Sequence, residues 1–315
     1  MNQNIALIDS PVDYSAFGHG EGCDEGPTAI RDTGLLTGLE KHAIPYKDFG
    51  VIPSPKADNP HNPRLKFLNE IKAANQHLYA TTYSALVESL FPIVLGGDHS
   101  GVIGSIKAAH DFYEDGIGLL WLDAHLDCNT EATTTSGNIH GMVIPQLTGD
   151  GAKELVEISN KQVPYENIAV VGIRNPDLPE IEYVHNNAIY MQDIWAVQEQ
   201  GVAQTINHAI QHLLKSTDKV YVSFDLDVVD EQFAPGVGTP TYGGLTYREI
   251  IFVSRVLRRL FQNNQLAGID IVELNPSQDV ANKTANLAVE WIMSVLGFEY
   301  GPFVRFRDNR PPLDA

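Results

Sequence analysis

Residues 116–129, GIGLLWLDAHLDCN, decide how this chain is read. An apolar run of strand length ends in Asp123, His125 and Asp127, three ionisable groups on alternate positions where a core would carry none. On an extended backbone alternate side chains share a direction, so the three project together if strand geometry persists through them. Burying such groups without partners is costly. A bound cation removes that cost.

Two further stretches repeat the pattern. PIVLGGDHS (92–100) brings His99 to the end of an apolar run, after two glycines that let the backbone turn closely. KVYVSFDLD (219–227) ends in Asp225 and Asp227. Taken singly, each has an ordinary explanation: Asp-x-Asp at a strand end is a turn or cap device, and Ser100 after His99 reads as a helix cap. Asp98 and Asp230 are assigned to that ordinary class. Together the three segments read differently. Four converging carboxylates repel one another unless cations balance them. His99, Asp123, His125, Asp127, Asp225 and Asp227 match two divalent ions in charge and leave room for one bridging hydroxide. Oxygen-rich ligation with a minority of imidazole favours Mn²⁺ or a similar octahedral ion. Cys128 alternates away from that face and reads as a small buried hydrophobe.

Working outward, NIALIDS (4–10), NIAVVGIR (167–174) and LAGIDIVELN (266–275) are also short Val/Ile/Leu-rich runs, as expected of strands buried on both faces of a parallel sheet. Segments with helical spacing lie between the runs, including 63–90, 202–216 and 247–261. Alternating strands and helices predict an α/β fold with helices on both sheet faces. No repeat or linker composition divides the 315 residues, so one domain over 1–315 is expected. The polar loop 127–142, DCNTEATTTSGNIHGM, leaves a carboxyl strand end, where open α/β sheets bind ligands.

Composition narrows the function. The formal charge of -19 disfavours nucleic acid. No apolar run long enough for a bilayer and no basic, then apolar, leader is present, which predicts a protein off the membrane. Two cysteines make no disulfide framework and suit a reducing cytoplasm. Ser-His-Asp order, G-x-S-x-G, G-x-G-x-x-G and Walker patterns are absent, which disfavours nucleotide use.

With GGDHS, DAHLD and SFDLD in this order, the chain resembles the ureohydrolase superfamily, binuclear manganese enzymes that include arginase, agmatinase and formimidoylglutamase. The likeness runs from EGPTAIRDTGLL at 25 to NKTANLAVE at 282. It implies a three-layer α/β/α sandwich, a mostly parallel sheet of about eight strands, two Mn²⁺ per subunit at one sheet edge, and a trimer or hexamer, with the tail FVRFRDNRPPLDA as a candidate contact. The resemblance carries the six ligand positions named above. The loop 127–141 is most similar to that of arginase, which implies that Asn129, Thr134 and Ser136, with Asn138 nearby, hold an α-carboxylate. GIRNPDLPE (172–180) resembles the segment meeting the α-amino group, with Asp177 in the acidic position and Glu180 nearby; Asn175 stands where an aspartate is common. GVGTPTYGGLTYRE and IVELNP bring Thr239 and Glu273 to the guanidinium end. The implied reaction is hydrolysis of L-arginine to L-ornithine and urea by the bridging hydroxide. In it Asp127 accepts a hydrogen bond from that hydroxide, Glu273 orients the guanidinium and His140 shuttles a proton to the leaving amine. The alternatives are another amidinohydrolase, acting on agmatine or a different guanidino or formimino acid, and a non-catalytic metal-binding homologue.

Overall fold

The computed structural model describes residues 3–14, 22–55 and 60–298; the tail expected to make subunit contacts lies outside them. Eight strands form one sheet: β1 (Ile5–Ser10), β2 (Tyr46–Val51), β3 (Phe91–Gly96), β4 (Gly118–Leu122), β5 (Ile168–Ile173), β6 (Tyr190–Asp193), β7 (Val220–Asp225) and β8 (Leu266–Val272). Their order is β2-β1-β3-β8-β7-β4-β5-β6, and every pairing is parallel. The predicted α/β/α arrangement is the observed one.

Alternation along each strand divides the core. Ile93, Leu95, Leu120, Leu122, Val222, Phe224, Ile269 and Ile271 face one side, where they pack with α4 (Val202–Leu213), α5 (Tyr247–Gln262) and α6 (Lys283–Val295). Val94, Leu119, Trp121, Val170 and Tyr221 face the other, against α1 (Leu68–Val87) and α2 (Ile103–Phe112). The helix α3 (Leu178–Asn186) follows β5. Strands buried on both faces need apolar residues at every position, which is why they read as continuous runs rather than as alternation.

Six strands coincide with the six runs seen in the sequence. The two left out are the sheet edges: β2, YKDFGV, is half-exposed, and β6, YMQD, is only partly buried, so neither carries an apolar run. The topology also places β8 and β7 between β3 and β4. Four adjacent strands, β3, β8, β7 and β4, therefore bring their carboxyl ends to one place.

Candidate metal centre

Strand geometry does not persist through DAHLD. β4 ends at Leu122, and Asp127 sits in the left-handed region at φ 49°. The three side chains of this motif converge through a turn, not through the alternation expected from the sequence. The turn is held by backbone amides: His125 N donates to Asp123 Oδ1 at 2.6 Å, and Ala124 N to Asp227 Oδ1 at 3.0 Å. After β7, Asp227 N donates to Asp225 Oδ1 at 2.7 Å, closing the same kind of turn. After β3, Asp98 rather than Ser100 caps the short helical turn His99–Val102, accepting from Ser100 N at 2.9 Å. Gly97 is required here because a Cβ on it would lie 2.0 Å from the Val12 carbonyl oxygen. Asp230 accepts from Gln232 N, Gly243 N and Gly244 N, the turn role expected of it.

His99, Asp123 and Asp225 bring one ligand atom each within 4.8 Å of one another, and so do Asp123, His125 and Asp227, with Asp123 common to both groups. Nδ1 of His99 is 3.2 Å from Asp123 Oδ2, 3.2 Å from Asp127 Oδ2 and 3.1 Å from Asp225 Oδ2. Despite that proximity Nδ1 is buried and makes no hydrogen bond: the four atoms face a shared point instead of pairing. On the other side His125 Nδ1 lies 2.9 Å from Asp227 Oδ2. All six side chains nominated from the sequence are thus brought together.

The electrostatics agree with a cation site. Burial and the neighbouring carboxylates Asp227 and Asp123 push Asp225 well above the usual carboxylate range, and burial with Asp123 raises Asp127 to about 6. Burial would lower both histidines, yet the carboxylates beside them override it, raising His99 well above its ordinary value and His125 to about 12. A cluster that holds positive charge this strongly is matched to divalent ions. The orphaned Nδ1 and the hard oxygen donors fit such ions.

The structure adds supports that the sequence reading passed over. The Trp121 ring stacks on the His99 ring, centroids 4.0 Å apart and planes 3° apart, and its Nε1 donates to Asp123 Oδ2 at 3.0 Å. Ser223 Oγ lies 2.9 Å from His99 Nε2. Its signal was present, two positions before Asp225 and so on the same side of the strand. Trp121 gave no such signal, since a Trp in an apolar run reads as core. Arg174 donates to the carbonyls of Asp227 (2.6 Å), Thr241 (2.8 Å) and Tyr242 (3.0 Å), tying the loop that bears Thr239 to the turn that bears Asp227.

Around the centre, Glu273 stands at φ 64°, an uncommon left-handed conformation for a non-glycine residue at a candidate site. Its Oε1 accepts from His99 N at 2.9 Å and lies 3.7 Å from His140 Nδ1. Burial would lower His140, but Glu273 beside it, with Asp98 and Asp127, raises it to about 9. Gly238 leaves space for Glu273: a Cβ there would lie 2.7 Å from Oε2. Thr239 Oγ1 donates to Asp227 Oδ2 at 3.1 Å.

In the loop after β4, Asn129 Nδ2 donates to Asp177 Oδ2 at 3.1 Å, joining the two segments assigned to the amino-acid end. Glu180 is buried, with Oε1 accepting from Cys128 N and Oε2 from Asp177 N, both at 2.9 Å. Both its oxygens thus serve the backbone: Oε2 closes the capping box that starts α3, and Oε1 ties that helix start to the loop after β4. Thr134 accepts from Gly137 N and Ser136 from Asn138 N, closing turns within the loop, while Asn138 Oδ1 accepts from Lys66 Nζ at 3.0 Å. Cys128 is buried and, like Cys23, a free thiol.

The arginase family model matches residues 3–297. The chain belongs to the arginase family. Arginase from Bacillus caldovelox is 36% identical over 298 residues, spanning 93% of this chain and 98% of that protein. The solved structure of an arginase from the same organism superposes with a TM-score of 0.89 at 35% identity, covering 96% of this chain and 100% of that one. The arginase of Entamoeba histolytica, solved in complex with L-ornithine, superposes at 0.85 with 26% identity, covering 95% and 100%. No helix of this arginase-family chain, among the described residues, is long and apolar enough to cross a membrane.

Proposed function

We propose that the protein is a binuclear manganese hydrolase that cleaves the guanidinium of L-arginine to L-ornithine and urea. The observation that carries this reading is the buried His99 Nδ1, which makes no hydrogen bond and faces Asp123, Asp127 and Asp225. Near-full-length similarity to arginases supports the substrate.

His99, Asp123, Asp127 and Asp225 would hold one ion, and Asp123, His125, Asp225 and Asp227 the other. Such ions, when bound, would balance the carboxylates and lower the pKa of a bound water toward neutrality. Asp127 would accept a hydrogen bond from a water held there. Glu273, buried and anchored on His99 N, presents a carboxylate to the cationic guanidinium and orients it by paired hydrogen bonds. His140, kept protonated by Glu273, supplies a proton to the departing amine. Thr239, at the guanidinium end, is positioned by Asp227. Asn129, Thr134, Ser136 and Asn138 form the carboxylate end of the pocket, and Asp177, set by Glu180, meets the α-amino group.

The chain is further proposed to act as one domain in a cytoplasmic homo-oligomer, a trimer or a hexamer. Two free cysteines suit a reducing compartment.

Urea release from arginine, agmatine and guanidinobutyrate, and formamide release from formimidoylglutamate, in the presence of Mn²⁺ test the assignment. Arginine is expected to give the highest kcat/KM. A higher value for any other member of the panel overturns the substrate, and no turnover of any of them overturns the hydrolase.

A further inference from the structure

Asp270 is the one charged residue of β8, LAGIDIV, and is fully buried. No step of the proposed reaction uses it. Strand β8 lies between β3 and β7, so Asp270 is in register with Val94 on one side and Ser223 on the other. Its Oδ1 accepts from Ser223 Oγ at 2.5 Å, and the buried Tyr221 hydroxyl and the Phe224 backbone also favour its charge. Burial outweighs them and raises this carboxyl to about 7. A buried carboxylate in an apolar strand destabilises the fold, and an aliphatic side chain would be the stable choice.

The hydrogen-bond inventory shows what the carboxylate does. Ionised, it only accepts, so the Ser223 hydroxyl must donate to it. Ser223 Oγ is then left with lone pairs toward His99 Nε2 at 2.9 Å, and the imidazole must donate through Nε2–H. A neutral ring with its hydrogen on Nε2 has a bare Nδ1. The opposite arrangement, Ser223 donating to Nε2, would put the hydrogen on Nδ1, where Asp123, Asp127 and Asp225 converge. Stacking on Trp121 fixes the ring plane but is indifferent to the tautomer.

We propose that Asp270 is a positioning residue for the metal centre, acting through Ser223 to hold His99 in the tautomer whose Nδ1 lone pair faces the cations. The proposal rests on the reading of the six-residue cluster as a metal site. The Asp270→Asn amide offers Ser223 both a donor and an acceptor, so the relay loses its direction. Ser223→Ala removes the relay.

Calorimetric titration of the metal-free full-length protein with Mn²⁺ at pH 8.5 reads the effect, beside Tm in excess chelator. Asp270→Asn is expected to raise the Mn²⁺ Kd on the order of 10-fold to 100-fold and to leave Tm in chelator equal to or above that of the wild type. Ser223→Ala should raise the Kd similarly, and the double variant should add less than the sum of the two; Ser223→Ala carries the test if Asp270→Asn does not fold. Mn²⁺ affinity of either variant within twofold of wild type overturns the proposal, and a lowered Tm with unchanged affinity marks Asp270 as structural. Failure of the wild-type chain itself to bind Mn²⁺ overturns the metal reading instead.

Discussion

The side-chain amide of Asn175 lies 3.2 Å from Nε2 of His125. In the sequence Asn175 belongs to the segment that resembles the α-amino contact, where an aspartate is common; the fold places it behind a candidate metal ligand. With Nδ1 turned to Asp227 at 2.9 Å, Nε2 is the ring atom that meets the amide, and where the ring's hydrogens sit decides which of the two donates. Once Nδ1 ligates a metal, Nε2 carries the hydrogen, and a half-turn of the amide presents its oxygen. A carboxylate could only accept. Asn175→Asp should therefore tighten Mn²⁺ binding roughly tenfold by enforcing the metal-ready tautomer. Calorimetric titration reads this, and a weaker or unchanged Kd would show that Asn175 does not act through His125.

Asn129 is the point at which the carboxylate pocket meets Asp177. Asn129→Ala is expected to lower kcat/KM for arginine by about 10-fold to 100-fold, the worth of a hydrogen bond to a charged group. Agmatine, which has no α-carboxylate, should suffer far less. Steady-state kinetics on the two substrates make the comparison, and equal losses would reassign this pocket.

Metal removal should cost stability as well as activity. Ions that bind only the folded chain stabilise it, by about 2.7 kcal/mol per site at a concentration 100 times Kd. Without them the four aspartates repel. Thermal unfolding with and without excess Mn²⁺ should show a Tm several degrees higher in the metal, and an unchanged Tm would indicate that the cluster is not a cation site.

Lys107, on α2, is nearly fully buried, with Nζ 3.2 Å from both the Val156 carbonyl and Gln162 Oε1. Burial lowers its pKa to about 8. The unfolded chain thus binds the proton more tightly, so the destabilisation is complete below pH 8 and is relieved as pH rises toward the ordinary lysine value. Lys107→Met should raise stability at pH 7 by roughly 1 to 3 kcal/mol, after the loss of two modest hydrogen bonds. The gain should fade by about pH 10.5. Denaturant unfolding at the two pH values checks both the sign and the trend.

Much of this molecule was legible from the residues alone. The apolar runs located the strands buried on both faces because a parallel sheet covered by helices demands apolar side chains at every position. The ionisable groups ending three of those runs identified the ligand set, since charge at the end of a buried strand needs a reason. The edge strands β2 and β6 were not legible, being partly solvated and so free of any such demand. Neither was the turn that swings Asp127 beside His99, which depends on a left-handed residue at a position that is not glycine. Trp121 is silent in the sequence because a tryptophan in an apolar run reads as core, and what Ser223, Asn175 and Asp270 touch is decided only once the strands are ordered.

The sequence by itself determined which side chains could bind metal and which segments would be strands. Local composition controls burial, so charged groups at the ends of apolar runs stand out before any neighbour is known. Only the tertiary structure decided that these groups meet, because inserting β8 and β7 between β3 and β4 is a choice of strand order, made by packing across the whole sheet. That order sets the ends of four strands side by side, with Asp270 beneath His99 and Glu273 beside it, a relation no local pattern encodes.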